Sequence, residues 1–111
     1  MGTLNRYREI IETMLSGVAR LPTSSPGVEN KTLFDREANR YAVLSLGWEG
    51  ARRIHHFLAH LEIIEGRIWV QEDNTDLALA EELERAGVPR RDIVLGFHPP
   101  EVRAHTDYAA V

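Results

Sequence analysis

Histidine, arginine and tryptophan are the residues through which this chain could do chemistry, and their spacing decides what kind. There are five histidines, two tryptophans and no cysteine. Neutral imidazole ligates zinc and titrates near neutrality, so a histidine cluster would suit a metal centre or a proton-transfer site. Strand-like alternation puts Ile54, His56, Leu58 and His60 on one face and His55, Phe57, Ala59, Leu61 and Ile63 on the other. His56 and His60 then stand roughly 13 Å apart at ordinary strand rise, too far to share one metal ion without a sharp bulge. His98 and His105 have polar neighbours. A small metal-assisted hydrolase or nuclease would assemble its site there, from His98, Arg103, His105 and Asp107. The hydroxyls Ser45, Thr75 and Thr106 have no base and orienting group beside them in a recognisable pattern. A glycine-rich phosphate loop, a GxSxG elbow and an HExxH helix are all missing from the sequence. No catalytic residue, metal ligand or cofactor is therefore assigned.

The tryptophans and arginines suit recognition better than catalysis. Trp48 at a turn and Trp69 on an edge or terminal strand, taken with Arg52, Arg53 and Arg103, have the composition of a protein–protein hot spot. With His98 and Asp107 they make the candidate partner-binding set. Arg52 and Arg53 are neighbours on a strand and point to opposite faces, so one flat surface can use only one of them. Direct DNA binding would draw on Arg52, Arg53, Arg90 and Arg91. Against it stands the charge: 17 acidic and 13 basic residues give a net charge of -4, where phosphate-binding domains usually carry a basic excess.

The elements that must position these residues follow from periodicity. At 111 residues the chain has the length of one domain with one modest core, so residues 1–111 read as a single unit. Leu4, Tyr7, Ile11, Met14, Leu15 and Val18 form an apolar stripe on a helix running to about Arg20. Strand patterns occupy Lys31–Phe34, Arg40–Trp48, Ile54–Ile63 and Arg67–Gln71. The links between them include Glu49-Gly50 and Glu65-Gly66, suited to tight turns with positive φ. A second helix follows, capped by Asn74 or Thr75, striped by Leu79, Ala80, Leu83 and Ala86, and stopped by Gly87-Val88-Pro89. Ile93–Phe97 reads as a short buried fifth strand, and Glu101–His105 as one helical turn. The expected fold is α+β: an antiparallel β-meander of four to five strands covered by an N-terminal helix and a second helix. A small sheet with an open edge pairs or covers it, which makes a homodimer an expectation. No apolar run reaches membrane-spanning length, the N-terminus opens on an amphipathic pattern rather than a signal peptide, and the lack of cysteine fits the cytoplasm.

Four stretches carry a resemblance. They are Gly47-Trp48-Glu49-Gly50-x-Arg52-Arg53-Ile54-His55, Gly66-Arg67-Ile68-Trp69-Val70-Gln71, Gly87-Val88-Pro89-x-x-Asp92-Ile93-Val94-Leu95-Gly96-Phe97-His98-x-Pro100, and Arg103-x-x-Thr106-Asp107-Tyr108-Ala109. In this order and spacing, with the opening Tyr7–Ile11 helix, they resemble the XisI protein family over almost the whole chain. The family is named for the factor controlling fdxN element excision, the site-specific removal of a DNA element in heterocyst-forming cyanobacteria. The resemblance implies a regulatory accessory that works with an XisH-like protein and a recombinase rather than cutting DNA itself. Where the family commonly has Asp-Gly-Thr before the second helix, this chain has Asp73-Asn74-Thr75; asparagine tolerates the same left-handed backbone.

Overall fold

Tyr7, Ile11, Leu15 and Val18 recur at helical spacing, and all four are buried against one sheet. The computed structural model describes residues 2–111. Helix α1 (Thr3–Ala19) leads into strands β1 (Val28–Asp35), β2 (Arg40–Glu49), β3 (Arg52–Ile64) and β4 (Arg67–Asp73). Helix α2 (Leu79–Arg85), a 3₁₀ turn (Arg90–Asp92), strand β5 (Ile93–Leu95) and the short helix α3 (Pro100–Arg103) complete the order. The sheet runs β1-β2-β3-β4-β5, with its first four strands an antiparallel meander. β5 pairs parallel to β4 instead of continuing the expected antiparallel pattern. The reason is the α2 crossover between them, which returns the chain to the end where β4 began.

Both helices pack on one face, here called the inner face. Tyr41, Val43, Ala59, Leu61, Ile68 and Val70 of the sheet meet the α1 stripe and Leu79 and Leu83 of α2. Leu4, expected on that stripe, is exposed. Glycines serve the hairpins as expected: Glu65 (φ 49) and Gly66 (φ 79) both take the positive φ that a type I′ turn needs. Gly47 has a different reason, since a Cβ there would lie 2.0 Å from the Gly27 carbonyl oxygen.

A β-bulge changes which histidine faces which side. Val43 pairs with Ala59 and Leu44 with Phe57, so Leu58 has no partner in the β2 ladder. One extra residue reverses the alternation. His56, opposite Ser45, stays on the inner face, while His60, opposite Ala42, is turned outward. The expectation that they share a face is therefore corrected. Outside, His60 stacks on Phe57, with ring centroids 5.5 Å apart. A second bulge leaves Gln71 unpaired between Val70 and Glu72.

Helix α2 starts later than its cap signals suggested. Ala78, not Asn74 or Thr75, is the N-cap residue, with a left-handed φ of 54. Asp73 does the capping from the end of β4: its carboxylate accepts from Thr75 N (2.9 Å), Thr75 Oγ1 (2.6 Å) and Leu79 N (2.9 Å). Two tyrosines then tie the layers together. Tyr7 donates to Asp92 Oδ2 at 2.5 Å and Tyr108 to Glu84 Oε2 at 2.6 Å. Burial first, then the carboxylate each one bonds, pushes both phenols up to about 12. The third, Tyr41, is buried with no hydrogen-bond partner for its hydroxyl among the described residues. Burial, and then the nearby Glu12 charge, raises its pKa too.

Replacing Asp73 with alanine should cost about 1–2 kcal/mol, the usual worth of a capping carboxylate. Urea unfolding measures it, and an unchanged midpoint would deny Asp73 the capping role. The phenols predict a pH window. Because the folded state holds these protons more tightly than the unfolded chain, their contribution is complete below pH 10 and is lost as pH rises towards about 12. Ultraviolet titration of Tyr7→Phe and Tyr108→Phe should each delete one late-ionising tyrosine. Loss of only ordinary tyrosine ionisation near pH 10 would contradict this.

Candidate functional site

Trp69 lies on the outer face of β4, and the C-terminal segment is folded over it. β4 is an interior strand between β3 and β5, not an edge or terminal one. Gly96 crosses the indole so closely that a Cβ would stand 3.1 Å from the ring. The Arg103 guanidinium sits above the same ring, 5.2 Å from its centroid, and the residue is only 8% exposed. Its Nη1 donates to His98 O at 2.6 Å, and its Nε and Nη2 donate to Val111 O at 2.9 and 2.5 Å. One buried cation thus holds two distant points of main chain on one tryptophan. The tail then runs along the edge of β5, where Ala109 N donates to Ile93 O at 2.9 Å, and brings Tyr108 to Glu84 of α2. Arg90 first, and Tyr108 second, hold the Glu84 carboxyl below its ordinary range.

The polar residues around this latch do not close on one another. His98 is half-buried, its ring tilted against Phe97 at 4.6 Å. His105 and Asp107 are exposed; the Glu84 carboxylate, through its hydrogen bond and charge, raises the pKa of Arg90, and the Asp107 charge adds to this. Among the described residues no three histidine, aspartate or glutamate side chains come together to hold a metal ion.

Trp48 and Arg53 form a second, separate cluster. Trp48 belongs to β2 rather than to a turn and is 54% exposed, with Arg53 5.4 Å from its ring centroid. Arg53 Nη1 also donates to Gly47 O at 3.3 Å, while Arg52 pairs with Glu49 at 3.4 Å. Trp48 stands opposite Arg53 at one end of β3, and Trp69 opposite Glu62 near the other, roughly 30 Å along the strand. The seven candidates therefore divide: Trp69, His98 and Arg103 build the tail latch, Trp48, Arg52 and Arg53 cluster at the β2–β3 hairpin, and Asp107 stands on the surface near Arg90.

Sequence reasoning missed what lies between the clusters. The outer face of β1–β3 exposes Leu33 (60%) and Phe57 (38%) around a hollow of about 350 Å³ floored by Ala42. His60 Nε2 lies 3.2 Å from Glu62 Oε1 beside it, and Arg40 4.0 Å from the same carboxylate. A signal was present: Tyr41–Trp48 is apolar at nearly every position, a strand apolar on both faces where the helices cover only one. A larger open groove of about 710 Å³ separates α1 from α2. Its floor includes Ile10, Met14 and Val18, and its lips carry Arg6, Arg85, Glu9 and Glu82, so neither sign of ligand is favoured.

The class of protein is thus a five-stranded sheet backed on one face by two helices, with a tail latched over a tryptophan. The XisI protein family model matches residues 1–110, and the chain belongs to the XisI family. The crystal structure of a XisI-like protein from Anabaena variabilis ATCC 29413 superposes with a TM-score of 0.91 at 40% identity, covering 97% of this chain and 99% of that one. That of the fdxN element excision controlling factor XisI from the same organism gives 0.86 at 36% identity, covering 99% and 100%. Among curated proteins none matches. No helix of the described residues is long and apolar enough to cross a membrane.

Truncating Arg103 to alanine should release the tail. The expected loss is on the order of 3 kcal/mol, from buried charge-assisted bonds. It should come with red-shifted Trp69 emission and faster amide exchange over residues 93–111. Unchanged emission and exchange would show that Arg103 does not hold the segment.

Proposed function

We propose that this chain is a regulatory accessory, a controlling factor for site-specific excision of a DNA element, which acts by binding an XisH-like protein that in turn serves a recombinase. It does not itself cut DNA. The observation that carries the reading is family membership over residues 1–110, together with 36% identity to a protein named as an fdxN element excision controlling factor. Three features support a binding role. The tail cation Arg103 is spent on main-chain oxygens, Arg52 and Arg90 are paired with Glu49 and Glu84, and the two most exposed large apolar side chains, Leu33 and Trp48, lie on the sheet surface.

Mixed at micromolar concentration, this protein and an XisH-like protein should elute together as one complex on size exclusion. Separate elution of the two wild-type proteins would overturn the proposal.

A further inference from the structure

The tail and the helices leave one part of the sheet bare. Segment 96–103 covers the outer face over β4, and the paired Val94 of β5 is fully buried. Over β1–β3 the same face carries cross-strand rows whose margins, Leu33, His55 and Phe57 among them, are exposed, and whose central column has Leu44 and Leu46 half-buried and Ala42 buried. Glu29 pairs with Leu46 and Leu46 with His55; Lys31 with Leu44 and Leu44 with Phe57; Leu33 with Ala42 and Ala42 with His60. We infer that this face binds a second copy of the chain, sheet against sheet, about a two-fold axis parallel to β2.

Three features select a second copy as the occupant. A two-fold interface needs projection and hollow on one patch, because each residue meets its counterpart's neighbours. Here Leu33 projects beside the hollow floored by Ala42, and rotation about an axis along β2 carries one copy's β1 over the other's β3. Each Leu33 then reaches the Phe57–His60 wall of the opposite hollow. Charge gives the second reason. The chain as a whole carries a net charge of -4, so copies repel. On this face Lys31, Arg40 and Arg53 balance Glu29, Asp35 and Glu62, and the repulsion vanishes where the copies would touch.

The third feature is the order of those charges. Glu29 stands on one margin and Arg53 with His55 on the other, at the same end of the sheet, so the rotation sets each Glu29 against the opposite Arg53 and His55. At the far end Asp35 comes towards the opposite Glu62. Arg40, already 4.0 Å from Glu62, and His60, at 3.2 Å, stand among these carboxylates. Aligned packing of two twisted sheets at about 30° further separates the strand ends. The central column Ala42, Leu44, Leu46 forms the dry seam.

Sedimentation velocity on the whole chain at micromolar concentration tests this. The expected species is a dimer, converted by Leu44→Lys to a monomer with unchanged circular dichroism and unfolding midpoint. Glu29→Arg alone should weaken the dimer about tenfold, and adding Arg53→Glu should restore it, since both swapped partners then face each other again. A wild-type monomer, a dimer that survives Leu44→Lys, or a double swap that stays weak would each overturn the inference. It does not rest on the regulatory reading: a wild-type monomer that still bound an XisH-like protein would sink this proposal and leave that one standing.

Discussion

Burial of the inner sheet face against α1 and α2 is the constraint on which the rest of the structure depends. Each large apolar side chain taken from water there is worth about 1.5–3 kcal/mol, and the face supplies a continuous set from Tyr41 to Ile93. The exposed ion pairs, such as Arg52 with Glu49, contribute little by comparison. The bulge at Leu58 follows from this hierarchy. Keeping Ile54 on the same side as Ala59, Leu61 and Ile63 requires one residue to drop out of the ladder, and the gain from burying that face exceeds the loss of one regular pairing.

Two helices are not enough to cover both faces. On the far side the protein uses its own tail over Trp69, where a guanidinium, an indole and three main-chain hydrogen bonds replace an apolar layer. A buried arginine is costly unless every donor direction is met. Main-chain oxygens of His98 and Val111 accept from each of its three nitrogens, and the same bonds fix the path of residues 98–111. Strands β1–β3 receive no such cover, so their outer residues are free for recognition.

Much of the fold is legible in the sequence, and the parts that are not have physical reasons. The α1 stripe at Tyr7, Ile11, Leu15 and Val18, the four meander strands and the glycine turns are local patterns, and local sterics enforce them. The parallel pairing of β5 depends on where α2 sets the chain down, which no window of residues contains. The bulge at Leu58 is decided by β2, a different strand. The cap of α2 comes from Asp73, several residues before the helix it caps, because Ala78 takes a left-handed backbone that alanine seldom adopts. Among the site residues, the Trp48–Arg53 contact follows from hairpin register, whereas Arg103 reaching Trp69 needs the whole crossover. Alternation alone puts His60 and Glu62 on one face; that this face turns outward depends on the Leu58 bulge, which only the pairing with β2 reveals.

The uneven cover of the outer face can be measured through the two tryptophans, one at each end of it. Acrylamide quenching of Trp48→Phe and Trp69→Phe proteins, each reporting on the tryptophan that remains, should be followed over a wide dilution series. Dimerisation through the β1–β3 face predicts that Trp48 becomes more accessible as the protein is diluted, while Trp69, under Arg103 and Gly96, keeps one constant accessibility. A Trp48 signal independent of concentration, or a Trp69 signal that changes with it, would contradict the assignment of the bare face.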